Sequence, residues 1–216
     1  MSVSTTVSKL DMRSVQDHYR LRESIHATLR SHFDANEVDE FVPLALGISN
    51  PDANYSAAEH GLGPRILMSS TAEEVFDCVV ELDNCPNPHH LPELIYRQSL
   101  PFLKISVGTE IAMMLRPNEH WVVNVRSIWA YLLLKHSGNV SRANQELALY
   151  HDGERDSEMS YQIWRDIYLA LEHGMTELND AALPVAKAQN ISPGPLRFLW
   201  ADCVANGLYV QFAKKH

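Results

Sequence analysis

Apolar residues recur every three or four positions along most of the chain, which is the period of an amphipathic helix. The pattern is clearest between residues 124 and 173, where two apolar stripes stand out. Their members are Val125, Ile128, Trp129, Leu132 and Leu133 in the first stripe, and Met159, Ile163, Ile167 and Leu171 in the second. Gly138 and Gly174 are expected to end these two helices, because glycine commonly follows the last helical residue. A weaker stripe predicts a further helix from Glu177 to Ala188.

The first half of the chain carries shorter helical signals. Leu21, Ile25 and Leu29 recur every four residues and predict a long first helix. Thr71 and Glu74 have the spacing of a capping box, in which each side chain bonds the backbone N–H of the other residue. This pair therefore predicts the start of a helix that continues through the apolar residues after it.

Three segments are harder to assign. Residues 49–70 are predicted to be a loop, because Asn-Pro-Asp and Gly-Leu-Gly-Pro within them are turn-forming sequences. The run from Leu103 to Leu115 fits either a helix or a buried strand, since a continuous apolar run has no period. Leu208 to Phe212, which follow Gly207, could form a short edge strand.

Together these elements predict an all-α fold, mainly a helical bundle, with one short C-terminal hairpin or edge strand as the exception. Residues 1–9 are rich in Ser and Thr and are predicted to be a disordered tail. Residues 10–216 are predicted to form a single helical domain. A subdivision into an acidic half, 10–93, and a helical core half, 94–216, is the alternative.

Composition is that of an ordinary globular protein. Of 216 residues, 45% are hydrophobic and 21% charged, and a chain of this length can build a core without a metal or a disulfide. No apolar run approaches the roughly 18 residues of a membrane span, so no membrane association is expected. The first residues lack the features of a secretory signal, and three cysteines make no disulfide framework, so a cytoplasmic location is expected.

Negative charge is concentrated in one part of the chain. The net charge is −9, yet residues 34–93 hold twelve acidic residues and a single basic one, Arg65. Nucleic acids bind clustered positive charge, so a nucleic-acid partner is not expected. The acidic segment, which includes Glu73, Glu74, Asp77 and Glu81, is either a solvated face or a docking surface for a basic partner.

The densest group of residues able to bind a transition metal is Cys78, Cys85, His89 and His90. Zinc favours four nitrogen or sulfur ligands, and all four residues fall in one short segment. The spacing lacks the CxxC unit of common zinc sites, and Cys78 lies in a helical pattern where a thiol packs well on its own. The sequence therefore leaves two hypotheses open, a zinc site or a buried cysteine with surface histidines.

A second metal hypothesis comes from the segment Leu147-Ala-Leu-Tyr-His151-Asp152-Gly153. It resembles the helix-end His-Asp pair of the HD metal-dependent phosphohydrolases. That family binds divalent ions through a histidine, the His-Asp pair and a later aspartate, and the metal activates a water molecule. The resemblance implies that His120, His151 and Asp152 hold a divalent metal, with Asp180 or Asp202 as the last ligand.

A third hypothesis is a cleft for a small anionic ligand between two apolar segments. Two arginines and an amide suit an anionic group, and an aromatic ring can stack on the rest of a ligand. The residues expected to line the cleft are Arg116, His120, Trp121, Asn124 and Arg126. The alternative is a loop between helices that Trp121 anchors in the core.

Common catalytic signatures do not occur in the sequence. It contains no GxxxxGK[ST] phosphate loop, no GxGxxG, no GxSxG and no HExxH. The leading hypothesis is therefore a non-catalytic accessory or regulatory protein that acts through a protein partner. The alternatives are an HD-like phosphohydrolase with a divalent metal as its cofactor and a binder of small anionic ligands.

Overall fold

The computed structural model describes residues 6–150 and 158–213, with the side chains of residues 158–160 left out. Eleven α-helices account for most of these residues, and none of the described residues lies in a strand. The predicted all-α class is confirmed. None of the described helices is both long enough and apolar enough to cross a membrane.

The chain divides into two compact units. The middle unit comprises Leu21–Asn124, and the terminal unit comprises the residues up to Arg20 together with those from Val125 onward. The first helix, α1 (Met12–Asp34), begins in the terminal unit and ends in the middle unit. The other helices of the middle unit are α2 (Val38–Ala45), α3 (Tyr55–Glu59), α4 (Leu62–Ser69), α5 (Ala72–Asp83), α6 (Leu91–Gln98) and α7 (Ile105–Leu115).

Helix α7 lies at the centre of the middle unit. It contacts α3, α5 and α6, and all of its residues except Ser106 are buried. A helix that is buried on every side has no polar stripe, so its residues form one continuous apolar run. This explains why the sequence alone could not distinguish a helix from a buried strand between Leu103 and Leu115.

The terminal unit is built around α8 (Val125–Lys135). Helix α8 contacts α9 (Val140–Leu149), α10 (Glu158–Ala188) and α11 (Arg197–Phe212), and α10 also packs on α11. Trp129 of α8 is fully buried and donates a hydrogen bond from Nε1 to Asn144 Oδ1 of α9 at 2.6 Å. The apolar stripe that predicted α8 therefore faces the core of this unit.

Two glycines of the terminal unit do not have the role expected of them. Gly174 lies inside α10, which continues to Ala188, and residues 208–212 are the end of α11 rather than a strand. A Cβ on Gly174 would lie 2.7 Å from Tyr131 Cδ2, and one on Gly207 would lie 3.0 Å from Val15 Cγ2. Both glycines let a helix approach its neighbour closely, and neither ends a helix. The predictions of a stop at Gly174 and of an edge strand or hairpin at Leu208–Phe212 are wrong.

The predicted loop over residues 49–70 is also wrong, because it contains α3 and α4. Asn54 is the N-cap of α3 and accepts a hydrogen bond from Ala57 N at 3.0 Å. Its amide group donates to Ala45 O and Val107 O, which holds the start of α3 against two other segments. Short helices held by such long-range bonds have too few residues to show a period.

The capping box is confirmed. Thr71 Oγ1 accepts from Glu74 N at 3.2 Å, and Glu74 Oε2 accepts from Thr71 N at 2.8 Å. At the N-terminus, residues 1–5 of the predicted tail lie outside the described residues, while Thr6 and Val7 are buried.

Candidate functional site

The segment predicted to edge a ligand cleft lies largely in the interior. His120, Trp121 and Asn124 are each at most 2% exposed. Arg116 is partly exposed and donates from Nη1 to Asp83 O at 2.6 Å, and it also pairs with Glu119. Because these groups bond to the protein itself, they anchor the segment after α7.

Arg126, the fifth residue of that predicted cleft, belongs to the terminal unit. It lies in α8 and is 9% exposed, so it is a buried residue of that unit. The four other residues belong to the middle unit. The small-ligand hypothesis for this segment stays a prediction.

His120 is the chemically distinctive residue of this segment. Its Nδ1 lies 3.3 Å from Ala112 O, so Nδ1 carries the proton and donates to a carbonyl near the C-terminus of α7. Its Nε2 is buried and accepts no hydrogen bond from the described residues. Burial, and next the positive charge of Arg116, lower the pKa of His120 below its ordinary value of 6.5. His120 is therefore held neutral in the folded protein.

We expect acid to destabilise the protein through His120. A histidine whose pKa is lower in the folded state favours folding above the unfolded pKa of 6.5, and this stabilisation is lost as the pH falls toward the folded pKa. The slope cannot exceed about 1.4 kcal/mol per pH unit for one proton. Urea unfolding between pH 7.5 and 5 measures it, and His120→Asn, which keeps a donor toward Ala112 O, should flatten the profile. An unchanged slope in that variant would assign the acid sensitivity to other groups.

The four residues of the zinc hypothesis are not brought together. No group of three or more His, Cys, Asp or Glu side chains in the described part of the chain is arranged to hold a metal ion. Cys78 is buried in α5, and burial together with nearby Glu81 raises its pKa to about 12. Cys85 donates from Sγ to Asn87 O, while His89 lies against the Trp121 ring and His90 is exposed. The raised pKa keeps the Cys78 thiol protonated, and the Cys85 thiol is hydrogen-bonded to a nearby carbonyl. Both features disfavour metal binding by a thiolate.

The HD-like pair, His151 and Asp152, lies outside the described residues. The structure places only His120 of that set, in the buried position given above. The later candidates, Asp180 and Asp202, lie in α10 and α11 of the terminal unit. A divalent metal at His120, His151 and Asp152 therefore stays a prediction.

Helix α5 carries the exposed carboxylates of the acidic segment. Its buried side consists of Val75, Phe76, Cys78, Val79 and Leu82. Its solvent side consists of Glu73, Glu74, Asp77 and Glu81, all exposed, which are called the acidic face below. Glu73, Asp77 and Glu81 are four residues apart, so they follow one line along the helix.

The acidic face has no cation paired with it among the described residues. Glu74 is bonded to Thr71 N and Glu81 accepts from Gln98 Nε2 at 2.6 Å, both of them neutral donors. Other acids of the middle unit do have basic partners. These pairs are Asp83 with Arg30 at 2.8 Å, Glu37 with His32 at 2.6 Å, and Glu119 with Arg116. The face is thus a local excess of negative charge.

A buried ion pair that the sequence pattern did not indicate lies in the same unit. Arg22 of α1 and Glu110 of α7 are both fully buried, with Arg22 Nη2 3.2 Å from Glu110 Oε1. Glu110 also accepts from Tyr55 N and from the backbone and hydroxyl of Ser56 at 2.9–3.1 Å. The Arg22 guanidinium lies 4.5 Å from the centre of the Tyr55 ring. This network joins α1, α3 and α7 and has a structural role.

A second polar cluster lies in the terminal unit, between the C-terminal end of α8 and the C-terminal turn of α9. Glu146 accepts hydrogen bonds from Lys135 Nζ at 2.6 Å, His136 Nε2 at 2.7 Å and Tyr150 Oη at 3.1 Å. The bond from Lys135 is the largest cause of the lowered pKa of Glu146. The carboxylate is therefore held ionised and fully engaged, which suits a clamp between two helices.

Comparisons of the chain with models of known protein families, with curated proteins and with solved structures find no match. The function is therefore inferred from the charges, burial and contacts of this chain's own residues.

Proposed function

We propose that this protein acts by binding a protein partner, and that a basic surface of the partner docks on the acidic face of α5. The observation that carries the proposal is the exposed row of Glu73, Asp77 and Glu81, none of which forms an ion pair among the described residues. Complementary charge on a partner would neutralise this row and speed the encounter. The role that follows is that of an accessory or regulatory protein.

The destabilising repulsion between the carboxylates of the acidic face also supports a role in binding. Like charges four residues apart on a helix destabilise it by about 0.2–0.5 kcal/mol per pair. Asp77 faces Glu73 on one side and Glu81 on the other, so it takes part in two such pairs. A lysine at this position would stabilise the helix, so Asp77 does not serve the stability of the fold and is free to serve binding.

Asp77→Lys separates stability from binding. The lysine would follow Glu73 and precede Glu81 by four residues each, so the free energy of unfolding should rise by about 0.5–1 kcal/mol. Binding to the partner should fall at least about tenfold, because a repulsive charge replaces an attractive one. Urea unfolding measures the first effect. Pull-down from the native host, followed by titration of the recovered partner, measures the second.

A matched pair of variants controls for net charge. The triple variant Glu73→Gln, Asp77→Asn, Glu81→Gln leaves the Glu74 cap intact and should lose the partner. The control triple Asp166→Asn, Glu177→Gln, Asp180→Asn removes three negative charges from α10 instead. This control variant should still bind the partner. Recovery in the wild type should also fall as salt is raised. Equal recovery of the partner by both triples would refute docking on α5.

A further inference from the structure

A cleft of about 390 Å³ lies in the terminal unit, and none of its described lining residues belongs to the candidate sites above. This volume is within the range of small-molecule sites. The cleft is lined by Thr6, Lys9, Gly138, Asn139, Val140, Ser141 and Phe212. Its walls thus combine the N-terminus of α9, one lysine and one aromatic ring.

The described lining residues of this cleft carry a positive formal charge. Lys9 is among these residues and no acidic residue is, although the whole chain carries a net charge of −9. Helix α9 begins at Val140, is ten residues long, and has no acidic residue in its first turn. The backbone N–H groups at a helix start carry partial positive charge, which acidic side chains usually offset. The start of α9 lacks that offset and has Arg142 in its first turn.

Polar groups without partners mark the same cleft. Thr6 is 3% exposed, and its hydroxyl oxygen makes no hydrogen bond within the described ranges. Asn139 Oδ1 accepts from Arg142 N at 3.1 Å, so the N–H groups of Val140 and Ser141 are the ones left for a ligand. A buried hydroxyl without a partner costs free energy unless a ligand or water bonds to it.

We propose that this cleft binds a small oxyanion, a phosphate or carboxylate group with a short apolar body. The oxyanion accepts hydrogen bonds from the first N–H groups of α9 and lies within reach of the Lys9 ammonium group. The apolar body packs on Phe212 and Val140. This site is independent of the acidic face on α5, and either can fail without the other.

Phenyl phosphate and benzoate, each titrated into the isotope-labelled protein, test the proposal by nuclear magnetic resonance. The amide signals of Val140 and Ser141 should shift with a saturating curve, and the aromatic probes should bind more tightly than inorganic phosphate and acetate. The comparison of the two probes identifies which oxyanion the site prefers. The absence of saturable shifts at these two amides with both probes would overturn the proposal.

Three variants test the assigned groups. Lys9→Gln should weaken binding of the preferred probe about threefold to fivefold, while Lys187→Gln, which changes net charge equally at the end of α10, should not. Val140→Pro removes one N–H at the first helical position, where proline is tolerated, and should weaken binding without loss of helix. Undiminished affinity in both Lys9→Gln and Val140→Pro would show that the probes bind elsewhere.

Discussion

Glu110→Gln is expected to lower the free energy of unfolding by about 3 kcal/mol or more. The substitution keeps the size of the side chain and an oxygen that can accept from Tyr55 N. It removes the negative charge that faces Arg22 and the second oxygen, which accepts from Ser56 N. Both residues are fully buried, so water cannot replace the lost carboxylate. Urea unfolding gives the change, and amide hydrogen exchange of α7 shows whether the loss lies in the middle unit.

The Arg22→Met, Glu110→Gln double variant distinguishes the charge effect from a packing effect. Removing the guanidinium as well should restore part of the lost stability, since no buried cation is then left without its counter-charge. The double variant should therefore be more stable than Glu110→Gln alone. Additive losses from the two single substitutions would mean that the ion pair does not govern the stability of this region.

Trp200→Ala is expected to cost about 3–5 kcal/mol, because it removes the largest type of side chain from a fully buried position. Trp200 of α11 is 0% exposed and packs edge-on against Tyr19, with the ring centres 5.5 Å apart. The cavity left by alanine would be too enclosed to collapse without moving α11. Urea unfolding followed by far-ultraviolet circular dichroism measures the loss.

Trp200→Phe is the matched control. The indole Nε1 of Trp200 is buried and makes no hydrogen bond with the described residues, so its loss removes an unsatisfied donor. Phenylalanine also keeps a ring next to Tyr19. We therefore expect a loss clearly smaller than that of Trp200→Ala. Similar losses of unfolding free energy in the two variants would mean that Trp200 stabilises the fold through the full volume of the indole and not through its aromatic contact with Tyr19.

The helices with a solvent-facing side were predictable from the sequence, because their polar stripe creates a period. Helix α8 and the apolar side of α5 follow this rule, and the Thr71–Glu74 capping box located the start of α5 within one residue. Helix α7 could not be assigned, since it is buried on all sides. Gly174 and Gly207 misled the prediction because local pattern cannot tell a glycine that ends a helix from one that allows close packing.

The candidate sites also include some features that the sequence predicts and others that only the structure shows. The acidic face was visible in the sequence as a local excess of acids, although only the structure showed which acids have basic partners. Arg22 and Glu110 lie 88 positions apart, so no spacing rule could pair them. The cleft beside α9 joins residues near both ends of the chain and was likewise invisible. Conversely, Cys78, Cys85, His89 and His90 lie close together in the sequence but are not arranged to hold a common metal ion.

By itself, the sequence determined that the chain folds into helices and that its negative charge is concentrated in residues 34–93. Both are local properties, set by the spacing and type of nearby residues. Only the tertiary structure decided which residues share a core, which carboxylates are buried with a cation, and which remain exposed. The reason is that burial and pairing depend on distances between remote segments, and these distances exist only once the helices have packed.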